Sequence, residues 1–119
     1  MFISSITGLF AHEAPVDYSV AKTAVIALAQ NLARKVAPRV RVNVIAPGNV
    51  FFSGGSWEEK FNLNPEAVES MLQNHVPLQR FGTPNEIADA AVFLCSSRAS
   101  FITGSVFRVD GGQIGRAHV

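Results

Sequence analysis

Cysteine is all but missing from this chain. Cys95 is the only one among 119 residues, so no internal disulfide can form, and a reducing cytoplasm is the expected setting. Metal-ligand spacing is missing too: His12, His75 and His118 are scattered, so a zinc site has no support and no metal is expected. No basic run occurs. Ten Lys and Arg stand against nine Asp and Glu, which excludes a nucleic-acid footprint and a polybasic membrane patch. The longest apolar-rich stretch, "TAVIALA" (residues 23–29), falls far short of the roughly 20 residues that span a bilayer. The opening "MFISSITG" lacks the cationic start and long apolar run of a secretion signal.

What is present is a globular composition, 48% apolar and 16% charged, of a length that fits one domain over residues 1–119. "MFIS" reads as the end of a strand. Val25, Ile26, Leu28, Ala29, Leu32 and Val36 then recur at helical spacing from Tyr18 to Val36, and Pro38 supplies the stop. "VRVNVI" (Val40 to Ile45) is a β-branched strand ended by "APG". A loop is expected from Asn49 to Asn64, with Asn64 capping a helix that has Pro65 at its first position. Thr83, Pro84 and Glu86 form a capping box whose helix should turn Ile87, Ala91, Leu94 and Cys95 inward, the thiol serving as a small hydrophobe. "SVFRV" (Ser105 to Val109) is the last strand, and Asp110 most simply fixes the turn after it. Strands alternating with helices predict right-handed crossovers and a parallel α/β sheet.

The only tyrosine, Tyr18, precedes Lys22 by four residues, so both lie on one face of the first helix. An ammonium beside a phenol favours the phenolate, and such a phenol can exchange a proton with an alcohol or carbonyl. The alternative is a surface tyrosine beside a solvated lysine. Ser5 closes the first strand thirteen residues before Tyr18, and in open α/β sheets ligands bind beyond the carboxyl ends of strands. Ser5, the "APG" turn and the start of the tyrosine helix all belong at that edge.

With "ISSITG", "YSVAK", "RVNVIAPGNV", "PLQRFGTPNEIADAAVFLCS" and "SFITGSVFRVDGG" in this order and spacing, the chain resembles the short-chain dehydrogenase/reductase family. The resemblance implies a partial Rossmann-like, doubly wound parallel sheet, made of the last three strands and their helices. It implies hydride transfer between NAD or NADP and an alcohol or ketone. Ser5 would place the substrate oxygen, Tyr18 would act as general acid/base, and Lys22 would favour the ionised phenol and hold the nicotinamide ribose. Pro47, Gly48 and Val50 fall where the family lines the nicotinamide with backbone groups. Asn43 is read as a structural hydrogen-bonding residue. A threonine that many members carry after "PG" is replaced here by Phe51 and Phe52, with Ser53 next. Those phenylalanines and Trp57 either line an apolar substrate entrance or serve packing. His12, between Ser5 and Tyr18, is expected to be an exposed loop residue.

The resemblance covers the second half of the family's domain. No glycine-rich turn opening a helix, the feature that holds a dinucleotide's pyrophosphate, is found in these residues. Three readings follow: a nicotinamide-dependent oxidoreductase, a non-catalytic remnant acting as an oligomeric scaffold, or a half that joins a separate dinucleotide-binding half. An open first-strand edge predicts a homo-oligomer or pairing with such a partner.

Overall fold

Val44, Ile45 and Ala46 are almost wholly inaccessible, which for consecutive strand residues means that both faces of the sheet are covered. This computed structural model describes residues 1–113. Its regular elements in chain order are β1 (Phe2–Ile3), α1 (Val16–Val36), β2 (Val44–Pro47), α2 (Ser56–Leu63), α3 (Pro65–His75), α4 (Pro84–Cys95) and β3 (Val106–Val109). The strands form one parallel sheet in the order β1-β2-β3, with Phe2 opposite Val44 and Val44 opposite Val106.

Alternation along β2 divides the core. Val44 faces α1, where it packs with Ile26, Ala29, Ala33 and Val42, and with Phe2, Leu32, Val36 and Val106 at the margin. Ile45 faces the other way, onto Leu94 and Ala99, flanked by Ile87, Ala90, Ala91, Ile102 and Val109. Burying an isoleucine or leucine of this kind contributes about 1.5–3 kcal/mol. The expected parallel α/β architecture is therefore present, with α1 on one face and α4 on the other.

Four expectations need correction. The central strand pairs from Val44 to Pro47 and not from Val40 to Ile45. Ahead of it, side chains take over the work of the ladder. Asn43, 3% exposed, donates from Nδ2 to the Ile102 carbonyl (2.9 Å) and accepts the Ser105 amide on Oδ1 (3.1 Å). Arg41 donates to the carbonyls of Leu94, Ser96 and Ile102, closing the carboxyl end of α4. Leu28 is 50% exposed, so the apolar spacing in α1 serves two faces: one meets the sheet, and the other carries Val16, Val20 and Leu28 outward. The stretch 49–64 is no simple loop, since it contains α2. That helix has no buried residue and no side-chain cap, and so shows no periodic signal in the sequence. Cys95 is exposed, because the row of α4 that meets the sheet ends at Leu94.

The two cap signals read correctly. The Asn64 side chain accepts the Ala67 amide, and Thr83 and Glu86 exchange both hydrogen bonds of a capping box.

Candidate active site

In a parallel sheet every strand ends at the same edge. β1 delivers Ser4 and Ser5 there, β2 delivers Pro47 and Gly48, and β3 delivers Asp110. The chain leaving β1 makes one 3-10 turn at Ile6–Gly8 and returns to begin α1 at Val16, two residues before Tyr18. The Asp17 carboxylate accepts the Tyr18 amide (2.9 Å), an acidic group suited to the positive end of the helix.

Ser5 caps the 3-10 turn. Its Oγ accepts the Thr7 amide (3.2 Å) and the Thr7 hydroxyl (3.1 Å). With Thr7 as the donor in both, the serine proton is not used within the turn. Tyr18 is 45% exposed, and its hydroxyl has no hydrogen-bond partner among the described residues. The Lys22 ammonium lies 5.5 Å from the centroid of the Tyr18 ring and 3.4 Å from the carbonyl oxygen of Ile3. Tyr18 and Lys22 are thus together on one face of α1, and Lys22 is tied to the strand that ends in Ser5. Ser5 and Tyr18 share no direct hydrogen bond among the described residues.

Beyond β2, the Gly48 amide donates to the Val109 carbonyl (2.9 Å). A Cβ on Gly48 would lie 2.7 Å from both Cα and Cβ of Asp110, so the glycine is required by the approach of β3. Val50 forms a parallel bridge with Gly82: the Gly82 amide donates to the Asn49 carbonyl and the Phe51 amide to the Gly82 carbonyl. Val50's own N–H and C=O stay outside that pairing and point the other way, a donor and an acceptor side by side.

The aromatic residues are organised by packing. The Phe81 ring centroid lies 5.4 Å from that of Phe51 and 5.3 Å from that of Trp57, and the Lys60 ammonium sits 4.4 Å from the Trp57 centroid. Phe52 covers Gly55, where a Cβ would meet its ring at 2.9 Å. Asp110 accepts the Gly112 amide, as a turn residue should. His12 is exposed, and its Nδ1 accepts the Glu13 amide. No group of three metal-ligating side chains occurs among the described residues, and no described helix is long and apolar enough to cross a membrane.

Sequence reasoning missed what holds the site together. Ser4 donates to the main-chain carbonyl of Lys22 (2.7 Å), and the Thr23 hydroxyl lies 2.9 Å from the Gly8 carbonyl. The signal that could have found this is Gly8, whose missing side chain marks a close approach of backbones.

Residues 1–113 match the family described as Enoyl-(Acyl carrier protein) reductase. The isoepoxydon dehydrogenase of Aspergillus clavatus is 42% identical over 104 residues, 87% of this chain and 40% of that protein. A 4-hydroxyisoleucine dehydrogenase solved with NADH superposes with a TM-score of 0.83 at 34% identity, over 94% of this chain and 45% of that one. The L-sorbose reductase of Gluconobacter frateurii, solved with NADPH and L-sorbose, gives a TM-score of 0.84 at 32% identity, over 95% and 46%. The chain spans less than half the length of each of these relatives. From the match over residues 1–113 and these likenesses, the chain belongs to the short-chain dehydrogenase/reductase family.

Proposed function

We propose that this chain carries the substrate and nicotinamide end of an NAD(P)-dependent oxidoreductase that interconverts a secondary alcohol and a ketone. The observation that carries this reading is the Tyr18–Lys22 pair at the carboxyl edge of the sheet, tied by Lys22 to the strand that ends in Ser5. A nicotinamide, when bound, gives or takes the hydride. The Ser5 proton, not used within its own turn, polarises the substrate oxygen. The unpartnered Tyr18 hydroxyl delivers the proton during reduction and removes it during oxidation. Lys22 places a positive charge beside the phenol ring and offers an ammonium to the ribose.

Fit to the cofactor differs between its two ends. The free N–H and C=O of Val50 complement a carboxamide, and Pro47 and Gly48 line the adjoining wall. The phosphate end is different. Each described α-helix carries a carboxylate in its first turn: Asp17, Glu58 and Glu59, Glu66, and Glu86. A carboxylate there competes for the amides and dipole that would attract a pyrophosphate. Full dinucleotide affinity on this reading requires a complementary dinucleotide-binding half, whether contiguous or separate. These residues favour neither NAD nor NADP, and the relatives solved with NADH and with NADPH are consistent with that. A reducing compartment such as the cytoplasm suits the unpaired Cys95.

The competing reading, a non-catalytic oligomeric scaffold, draws on the same acidic helix starts. Titration decides between them. NADH and NADPH are added to the purified chain and nicotinamide fluorescence is followed, with and without Tyr18→Phe. Saturable binding with ketone-dependent oxidation that disappears in Tyr18→Phe is the expected result for the oxidoreductase. Absence of binding at cofactor concentrations on the order of millimolar rejects catalysis by these 119 residues alone.

A further inference from the structure

Lys22 is gripped from two sides by consecutive residues at the end of β1. The Ser4 hydroxyl donates to its main-chain carbonyl at 2.7 Å, and its ammonium reaches the Ile3 carbonyl at 3.4 Å. Ser4 is 3% exposed and lies immediately before Ser5. Gly8 closes the third side: a Cβ there would sit 2.8 Å from the Lys22 carbonyl carbon and 2.9 Å from the Ser4 Oγ. The next helical residue, Thr23, places its hydroxyl 2.9 Å from the Gly8 carbonyl.

In an α-helix the carbonyl of residue 22 already accepts the amide of residue 26, so Ser4 is not there to rescue an orphaned acceptor. What its hydrogen bond adds is a set distance between the strand that ends in Ser5 and the helix face that presents Tyr18 and Lys22. We propose that Ser4 is a positioning residue of the active site, acting through the main chain of Lys22 to set where the ammonium stands against the Tyr18 ring. The proposal deepens the functional reading above and rests on it for its catalytic consequence. The hydroxyl is suited to this task because it donates one directed bond from a site with no room for a larger side chain. Reaction geometry is sensitive at this scale, since misplacement by an ångström costs up to about a hundredfold in rate.

The test compares the full chain with Ser4→Ala by two readouts. Tyr18 is the only tyrosine, so its ring shifts the NMR signal of the Lys22 ε-methylene, with Tyr18→Leu supplying the value without that ring. Ser4→Ala is expected to lose about half or more of that shift while remaining folded. The second readout is turnover of ethyl acetoacetate with NADH or NADPH. A fall in kcat of about tenfold to a hundredfold, with KM for the ketone held within about twofold, is expected. An unchanged ring shift in Ser4→Ala overturns the proposal, even if kcat falls, because Lys22 would then not have moved. If the parent chain turns over no ketone, catalysis by these 119 residues alone is rejected, and the ring shift still decides the role of Ser4. If Ser4→Ala does not fold, Ser4→Gly replaces it, removing the donor without adding volume against Gly8. A reduced shift in that variant supports the proposal, and a full one overturns it.

Discussion

Gly48 and Gly82 both lie beside the candidate nicotinamide wall, yet they owe their identity to different things. A Cβ on Gly48 would press into the Cα and Cβ of Asp110 at 2.7 Å, whereas one on Gly82 would make ordinary contacts at 3.7 Å. Gly48→Ala should therefore lower stability by about 1–3 kcal/mol, as overpacking does. Gly82→Ala should stay within about 1 kcal/mol of the parent. Urea unfolding of the two variants checks the contrast, and equal losses would count against a packing origin for Gly48. Asn43 allows a similar argument. Its amide serves the Ile102 carbonyl and the Ser105 amide; Arg41 still serves that carbonyl in Asn43→Ala, so the variant leaves the Ser105 amide unpaired at about 1–3 kcal/mol. A loss below 1 kcal/mol in the same measurement would mean that water replaces the side chain. At this scale the sequence was informative: Tyr18, Lys22 and Ser5 could each be given a role from type and spacing, and Asn43 one from the family resemblance. Ser4 could not, because its partner lies 18 residues away and the bond is to a main-chain atom.

Among the elements, α4 has the most fully specified start. Thr83→Ala should cost about 1 kcal/mol by freeing the first-turn amides. Glu86 is held at about 2, well below its ordinary 4.5, first by the hydrogen bond from Arg80 and then by the Thr83 amide. Since the folded value is depressed, its contribution is fully present above 4.5 and is lost as the pH falls through about 2. Melting curves across that range should show wild type converging on Glu86→Gln as acidity rises. The gap between them should be small, because both partners of the ion pair are largely in solvent. A gap independent of pH would assign the effect to the cap geometry alone. α4 was legible because its signals are local. α2 was not, since it buries nothing and is held by the aromatic contact of Trp57 with Phe81 across 24 positions.

For the whole molecule, the described residues have a radius of gyration of 15.4 Å, against roughly 13 Å for a compact domain of this size. Three short strands and two modest clusters make a thin core. The Ile3 amide faces away from β2 at the outer edge of β1, the Ile3 carbonyl is taken by the Lys22 ammonium, and Val16, Val20 and Leu28 line an outward row on α1. Apolar surface of this kind beside an unpaired strand edge favours association. Sedimentation at micromolar concentration should show species larger than the monomer, and Val20→Lys should shift the distribution towards the monomer. A monodisperse monomer with cooperative melting would overturn the expectation.

The sequence by itself determined the order of the three strands with α1, α3 and α4, both side-chain helix caps and the shared face of Tyr18 and Lys22. These depend on interactions within a few residues, where spacing and side-chain chemistry are sufficient. Tertiary structure alone decided where the central strand begins, which face of α1 stays uncovered, that Cys95 faces solvent, and that Ser4 holds Lys22. Each of those depends on a backbone or side chain brought in from far along the chain, and residue spacing carries no record of that approach.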